Sequence, residues 1–414
     1  MSRYSRRLVV STALVLSLSL GGAVAAAPAF AAHGGTGATA HAGGGVSAVR
    51  AAALRDAVAG LPAADATAAL VRVGGDGTWR GSTGVHDLTS GRAAEAGARF
   101  RAGSVTKTFT AAVVLQLVDE RRISLDRSAR SYLSGLVPAA YGGVTVRQLL
   151  NHTSGIPAAP GGPRTPEDVY AHRFDRTTPQ AMVRAATAEP PEFAPGTAQH
   201  YLNINYTVLG LLVERVTGHR FEDEAARRVL RPLGLRDTYV PGADPTIRGP
   251  HNHGYQLYAL PGGGTEPRDV SDWDQTHSWA AGDLVSTTAD LERFVSALFR
   301  GEVVTGPALA EMFALPGEEV RMYGTVDPAK PGSGEPAVYS AGLSHAVVDG
   351  TEIWGKTGSR YGYSAGFMAT KDLSRTLVYS VNNTDAKAQG TNERVLGLGG
   401  AAFGRLPGEE DDRR

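Results

Sequence analysis

The chain of 414 residues contains no cysteine. That excludes a disulfide framework, thiolate zinc fingers, iron–sulfur clusters and a cysteine nucleophile. Neither sign of charge is in surplus, with 41 basic residues against 41 acidic ones, which argues against a nucleic-acid binder, where a basic excess is usual. Lysine is scarce: Lys107, Lys330, Lys356, Lys371 and Lys387 are all there is, and the other basic residues are arginine. A motif built on lysine therefore carries more information here than it usually would. What is present is a hydrophobic fraction of 42%, enough for a proper core, together with 52 glycines and 23 prolines. At roughly 100–200 residues per domain, the length suggests two or three domains, or one large domain with an insertion.

The first 31 residues read as a signal peptide: Arg3, Arg6 and Arg7, an apolar run from Leu8 to Leu20, then Ala29-Phe30-Ala31 as a small-residue cleavage site. The apolar core is shorter than the roughly 20 residues a membrane span needs. Export, with cleavage near Ala31 and no stable membrane anchor afterwards, is the expectation. Ser5-Arg6-Arg7 leaves both the ordinary secretory and the twin-arginine routes open. Residues 32–47 read as a flexible lead-in, and residues 405–414 as a charged tail.

Periodicity then gives a helix over Val46–Ala59, strands over Ala68–Val73 and Trp79–Val85, and a helix over Thr106–Glu120 that is apolar on most sides. Between Ser128 and Trp279 short helical pieces alternate with loops rich in proline and glycine, and strand signals are weak. A helix over Ala289–Phe299 follows. Three β-rich runs come next, Tyr339–Val348, Tyr363–Thr370 and Thr376–Val381, with Ile353–Lys356 leading into the second. A last helix spans about Asn392–Ala402. The expected fold is α+β: an antiparallel sheet flanked by helices on both faces, formed by residues 48–127 and 280–404, with an inserted all-helical domain at 128–279.

Three short segments could carry chemistry. Ser104 and Lys107 lie three residues apart at the start of the strongest helix, so their side chains share a face. Helix-terminal N–H groups and burial both disfavour an ammonium there, which would let Lys107 take a proton from Ser104. Taken alone, the pair reads more readily as a helix cap and a solvated lysine. Lys356-Thr357-Gly358 ends an apolar run, and glycine lets a substrate approach the strand backbone. Tyr201-Leu202-Asn203 precedes a helix and offers a phenol and an amide, or merely a packed ring and a cap.

Ser-x-x-Lys, Tyr-x-Asn and Lys-Thr-Gly in this order resemble the serine β-lactamase and penicillin-binding superfamily, whose first and third motifs have known mechanics. The Tyr-x-Asn form resembles the branch of class C β-lactamases and Streptomyces-type D-Ala-D-Ala carboxypeptidases. Leu149–Gly155, Phe193–Thr197 and Ala281–Leu291 also resemble segments of that branch. The resemblance implies Ser104 as the acylated nucleophile, with Lys107 and Tyr201 sharing the proton transfers. It implies Lys356 as positive charge beside Tyr201, Asn203 as a partner for the substrate's amide carbonyl, and the backbone N–H groups of Ser104 and Ser359 as an oxyanion hole. Thr357 and Gly358 complete the substrate-binding strand. Trp279 resembles a substrate-facing tryptophan of the carboxypeptidases and is equally readable as core.

There are departures as well. The third motif begins with Lys356 where the secreted carboxypeptidases often have histidine. No arginine occupies the neighbourhood Gly342-Leu343-Ser344-His345, where theirs binds the substrate carboxylate. Arg360, or less well His345, is the alternative cation. The expected activity is that of an exported D-Ala-D-Ala carboxypeptidase working through an acyl-enzyme. The alternatives are a class C-like β-lactamase, an esterase of the same fold, or a binding domain without turnover. Small peptides, β-lactams or esters, and with them peptidoglycan stem peptides, are the expected partners. No cofactor or metal is expected: His251-Asn252-His253 falls short of the three or four ligands zinc needs.

Overall fold

Six segments pair into one antiparallel sheet: β1 (Ala66–Gly75), β2 (Trp79–Gly84), β3 (Ser344–Val348), β4 (Thr351–Arg360), β5 (Tyr363–Ala369) and β6 (Arg375–Asn383), in the order β2-β1-β6-β5-β4-β3. The computed structural model describes residues 44–161, 165–327, 329–330, 332–385 and 392–407. The signal-like segment, most of the lead-in and the end of the charged tail lie outside the described residues. Central β6 is buried along nearly its whole length, its polar residues Thr376, Ser380 and Asn382 included. The β1–β2 turn needs glycine: Gly75 has φ +103°, and a Cβ there would sit 2.1 Å from the Ser374 carbonyl oxygen.

Helices cover both faces. On one, α1 (Ala48–Ala57) packs against the C-terminal helix Glu393–Phe403, and Leu54, Leu398 and Phe403 meet Leu377, Tyr379 and Val381 of the sheet. Arg50 fastens the two helices by donating to the Ala402 carbonyl at 2.9 Å. On the other face lie α2 (Thr106–Asp119) and the helix Thr288–Phe299, with Phe109 stacked on Phe294 at 3.7 Å. The same apolar cluster continues through α2 into helix α3 (Asn203–Thr217), so the inserted segment shares a core with the sheet face rather than building its own.

Three expectations need correction. The inserted segment is not all-helical, because it holds a hairpin of Tyr255–Ala259 and Thr265–Asp269, turned by Gly262, Gly263 and Gly264, all with positive φ. Ile353–Lys356 is part of β4, a ten-residue strand of its own, so the third motif lies within a strand. The end of the lead-in is docked, with Gly45 bridging to Thr78 and the Ser47 side chain capping α1.

Candidate active site

The first motif is held by a tight turn. Phe100–Arg101 pairs with Val285–Ser286, and the Ala102 N–H donates to the Leu284 carbonyl at 2.8 Å. Gly103 takes φ +52° and opens a 3-10 turn that runs into α2. Thr106 locks the turn, its hydroxyl donating to the Gly103 carbonyl at 2.7 Å and accepting from the Leu284 N–H at 3.0 Å. Lys107 is fully buried, which removes the reading of a solvated lysine. Its Nζ lies 2.7 Å from Asn203 Oδ1, 2.7 Å from the Ala281 carbonyl oxygen and 3.1 Å from Ser104 Oγ. The first two partners are pure acceptors, so two N–H bonds go to them. Of these three neighbours only the serine hydroxyl can also donate.

The third motif reaches this turn through two glycines. A Cβ on Gly358 would sit 2.0 Å from the Ala102 carbonyl oxygen and 2.8 Å from the Ser104 nitrogen; one on Gly103 would sit 2.6 Å from the Ser359 nitrogen. Backbone therefore packs directly on backbone, and the Ser104 and Ser359 amides are brought to one place. Two residues earlier on β4, Lys356 is buried and donates to the Thr357 carbonyl at 2.8 Å. Burial lowers the pKa of its ammonium from 10.5 to about 7.

Tyr201 joins the two motifs. Its ring centre lies 4.8 Å from the ammonium nitrogens of both Lys107 and Lys356. Its hydroxyl is buried and makes no hydrogen bond of good geometry. Burial, reinforced by neighbouring Tyr339, holds the phenol well above its usual pKa, with Ser104 the neighbour that opposes the shift. Asn203 opens α3, is exposed, and spends its side-chain oxygen on Lys107, which leaves its NH₂ to donate outward.

Two residues were not singled out from the sequence as site residues. Tyr339 packs its ring 4.7 Å from that of Tyr201. Buried Gln199 fixes Tyr339 from behind: its NH₂ donates to the carbonyls of Asn151 and Tyr339, and its oxygen accepts from the N–H groups of Val338 and Tyr339. Nothing in their spacing marks either, because both act through a loop more than 130 residues away.

Other candidates go elsewhere. Trp279 belongs to the core: it is 6% exposed, its ring packs on Phe221 and over Gly210, and its indole N–H donates to Glu222 at 3.1 Å. Arg360 turns towards the back of the nucleophile turn, donating to the Gly282 carbonyl at 3.1 Å within reach of Asp283. Burial lowers its pKa to about 10, so the guanidinium stays charged at neutral pH. His345 faces Glu352 at 2.9 Å and packs on Trp354, away from the serine. His253 is paired with Asp269, and His251 with the Gly249 carbonyl. No three His, Asp or Glu side chains among the described residues are placed to hold a metal ion. No helix among them is long and apolar enough to cross a membrane.

A serine whose hydroxyl faces a buried lysine, flanked by a buried tyrosine and a second lysine on a sheet strand, is the site of an acyl-transferring serine hydrolase. The chain belongs to the Beta-lactamase family, whose model matches residues 54–399. It is a serine hydrolase of the β-lactamase and penicillin-binding superfamily. It is 25% identical over 326 residues to Penicillin-binding protein 4* of Bacillus subtilis, covering 76% of this chain and 68% of that one. Esterase EstB of Burkholderia gladioli is 32% identical over 187 residues, 43% of this chain and 47% of its own. Among solved structures, a D-stereospecific amidohydrolase from Streptomyces sp. superposes with a TM-score of 0.70 at 30% identity, covering 85% of this chain and 98% of that one. The chain spans about half the length of several of its curated relatives, among them Penicillin-binding protein 4 of Amycolatopsis lactamdurans, at 54%.

Proposed function

We propose that the protein hydrolyses small amides or esters of D-configured acyl groups through an acyl-enzyme on Ser104. The observation that carries this is the Lys107 geometry. With two N–H bonds committed to Asn203 and Ala281, an uncharged Lys107 directs its lone pair at the Ser104 hydroxyl. Ser104 Oγ attacks the carbonyl carbon as its proton passes to Lys107, and the oxyanion forms beside the Ser104 and Ser359 amides. Tyr201, kept a neutral phenol, protonates the departing amine or alkoxide as the C–N or C–O bond breaks. Water then adds to the acyl-enzyme, giving a proton to the Tyr201 phenolate, while Lys107 returns its proton to Ser104 Oγ as the ester bond breaks and the acid leaves. The Asn203 NH₂ is available to the acyl portion's carbonyl.

The choice of substrate rests on the cations. Lys107 and Lys356 donate to internal oxygens, and Arg360 is tied to Gly282. Among the described residues a terminal carboxylate therefore meets no cation set aside for it, whereas a neutral leaving group needs none. The likeness to a D-stereospecific amidohydrolase over 98% of that chain supports the same choice. Turnover of a D-aminoacyl amide, set against its L-isomer and an acyl-D-Ala-D-Ala peptide, tests it. The D-amide is expected to have the highest kcat/KM.

A D-Ala-D-Ala carboxypeptidase is the second reading, favoured by Arg360 retaining its charge on the strand that carries the third motif. Faster turnover of the peptide, lost in Arg360→Ala, would establish it in place of the first. Intact mass after benzylpenicillin addition separates the remaining alternatives. A lasting adduct marks a penicillin-interactive enzyme, rapid loss of the drug a class C-like β-lactamase, and no adduct an amidase or esterase. Export directed by residues 1–31 is part of this proposal. A secreted chain beginning near residue 32 is its expected sign.

A further inference from the structure

His152 grips three consecutive residues of the loop that presents Tyr201. Its carbonyl accepts from the His200 N–H at 2.9 Å, its ring lies 4.4 Å from the Tyr201 ring, and the ring also meets the Leu202 backbone. To do this, a non-glycine residue is held in the left-handed region at φ +63°, a conformation that costs free energy and persists where the surroundings demand it. The side chain is 2% exposed, and the Asn205 amide lies 3.3 Å from its Nδ1. Asn205 is fixed in turn by the Ser154 hydroxyl at 2.5 Å. Gly155 completes the segment, with φ +73° and no room for a Cβ against the Phe193 carbonyl.

We propose that His152 is a positioning residue for Tyr201: an uncharged ring that holds the phenol at Ser104 while two lysines occupy other sides of it. The groups facing it are Lys107, Lys356, His200, Tyr201, Tyr206 and Tyr339. Burial, then the charges of Lys107 and Lys356, push its pKa well below the ordinary histidine range. A charged ring there would add a further cation beside Tyr201 and Lys356. The inference rests on Ser104 as nucleophile and Tyr201 as its partner, and it extends that reading to a residue that touches no substrate.

Two variants separate positioning from mere packing. His152→Asn suits the left-handed backbone, keeping the carbonyl bond to His200, but removes the ring. His152→Phe keeps a ring and removes its nitrogens. With p-nitrophenyl acetate, His152→Asn is expected to lose about tenfold or more in kcat, with KM within about twofold, the signature of a contact that matters in the transition state. His152→Phe is expected to restore most of that loss. A crystal structure of His152→Asn should show the Tyr201 hydroxyl displaced from Ser104. An unmoved Tyr201, an unchanged kcat, or losses in both variants that merely follow the folded fraction overturn the proposal. Ser104→Ala, assayed alongside, judges the nucleophile separately, and the Tyr201 displacement judges His152 even if Ser104→Ala keeps its activity.

Discussion

Lys356 places its ammonium nitrogen 4.8 Å from the ring centre of Tyr201, the same distance as Lys107. The two lysines come from elements nearly 250 positions apart in sequence, yet their effect converges on one phenol. A cation beside an aromatic ring is attracted to its electron-rich face, so a charged Lys356 is favoured against the Tyr201 ring.

Lys356 should therefore impose a pH limit on activity. Its pKa of about 7 means that the charge beside Tyr201 is lost as pH rises through neutrality. We expect kcat/KM to fall on the alkaline side with an apparent pKa near 7. Lys356→Arg, which cannot release its proton, should move that limb upward by a unit or more. Stability should run the other way. Between about 7 and the ordinary lysine value of 10.5 the unfolded chain holds a proton that the folded one has released, so stability rises with pH across that window. A limb left in place in Lys356→Arg would show that some other group titrates there.

The glycine contact makes a sharper steric prediction. Gly358→Ala drives a Cβ into the Ala102 carbonyl and the Ser104 nitrogen. The amides of Ser104 and Ser359 must then separate, and kcat should drop about 100-fold, as when one oxyanion donor is lost. Gly143→Ala, where no atom lies within 4 Å of the added carbon, is the control and should be neutral. Wild-type kcat in Gly358→Ala would remove the two amides from the mechanism.

Gln199 supports the site from below. Gln199→Leu strands two carbonyls and two N–H groups in a buried setting. Unpaired buried groups cost on the order of 1–3 kcal/mol each, partly relieved by relaxation, so a loss of about 3 kcal/mol in urea unfolding is expected. Tyr339 should loosen with it, raising KM more than it lowers kcat. A variant as stable as wild type would mean that water replaces the amide.

Much of the scaffold was legible because its signals are local. Thr106–Asp119 announces itself by apolar residues on most faces, and the short helix Val146–Leu150 opens on a local signal, the capping box of Thr145 and Gln148. The hairpin at Tyr255–Ala259 and Thr265–Asp269 was not legible. Its second strand reads Thr-Glu-Pro-Arg-Asp, a polar run with a proline. It is held by pairing, and by the Leu257 N–H donating to Thr384, more than by any intrinsic preference. In the site, Ser104, Lys107, Tyr201 and Lys356 were found because their types and order are specific. The structure sets Trp279 in the core and turns Arg360 to the Gly282 carbonyl, directions that chain order does not reveal. His152 and Gln199 act through tertiary contacts that no spacing encodes.

Asp283 provides a last test, because it is buried with no partner. It is 1% exposed, and neither carboxylate oxygen makes a hydrogen bond. Burial raises its pKa well above 3.8, the nearby Glu222 adds to the shift, and Arg360 opposes it. A group whose folded pKa is raised keeps its proton after the unfolded chain has released one. Stability is therefore lost as pH rises above the ordinary carboxylate range, at up to about 1.4 kcal/mol per pH unit. Asp283→Asn has the shape of the protonated acid and no proton to lose. Its stability relative to wild type, measured by urea unfolding, should improve as pH rises above the ordinary carboxylate range. Turnover should survive, since the side chain lies behind the Gly103 turn. If the Asn variant instead loses ground as pH rises, Asp283 is ionised and paired with Arg360. That guanidinium would then be bound internally by a carboxylate, which would count further against its taking a substrate's.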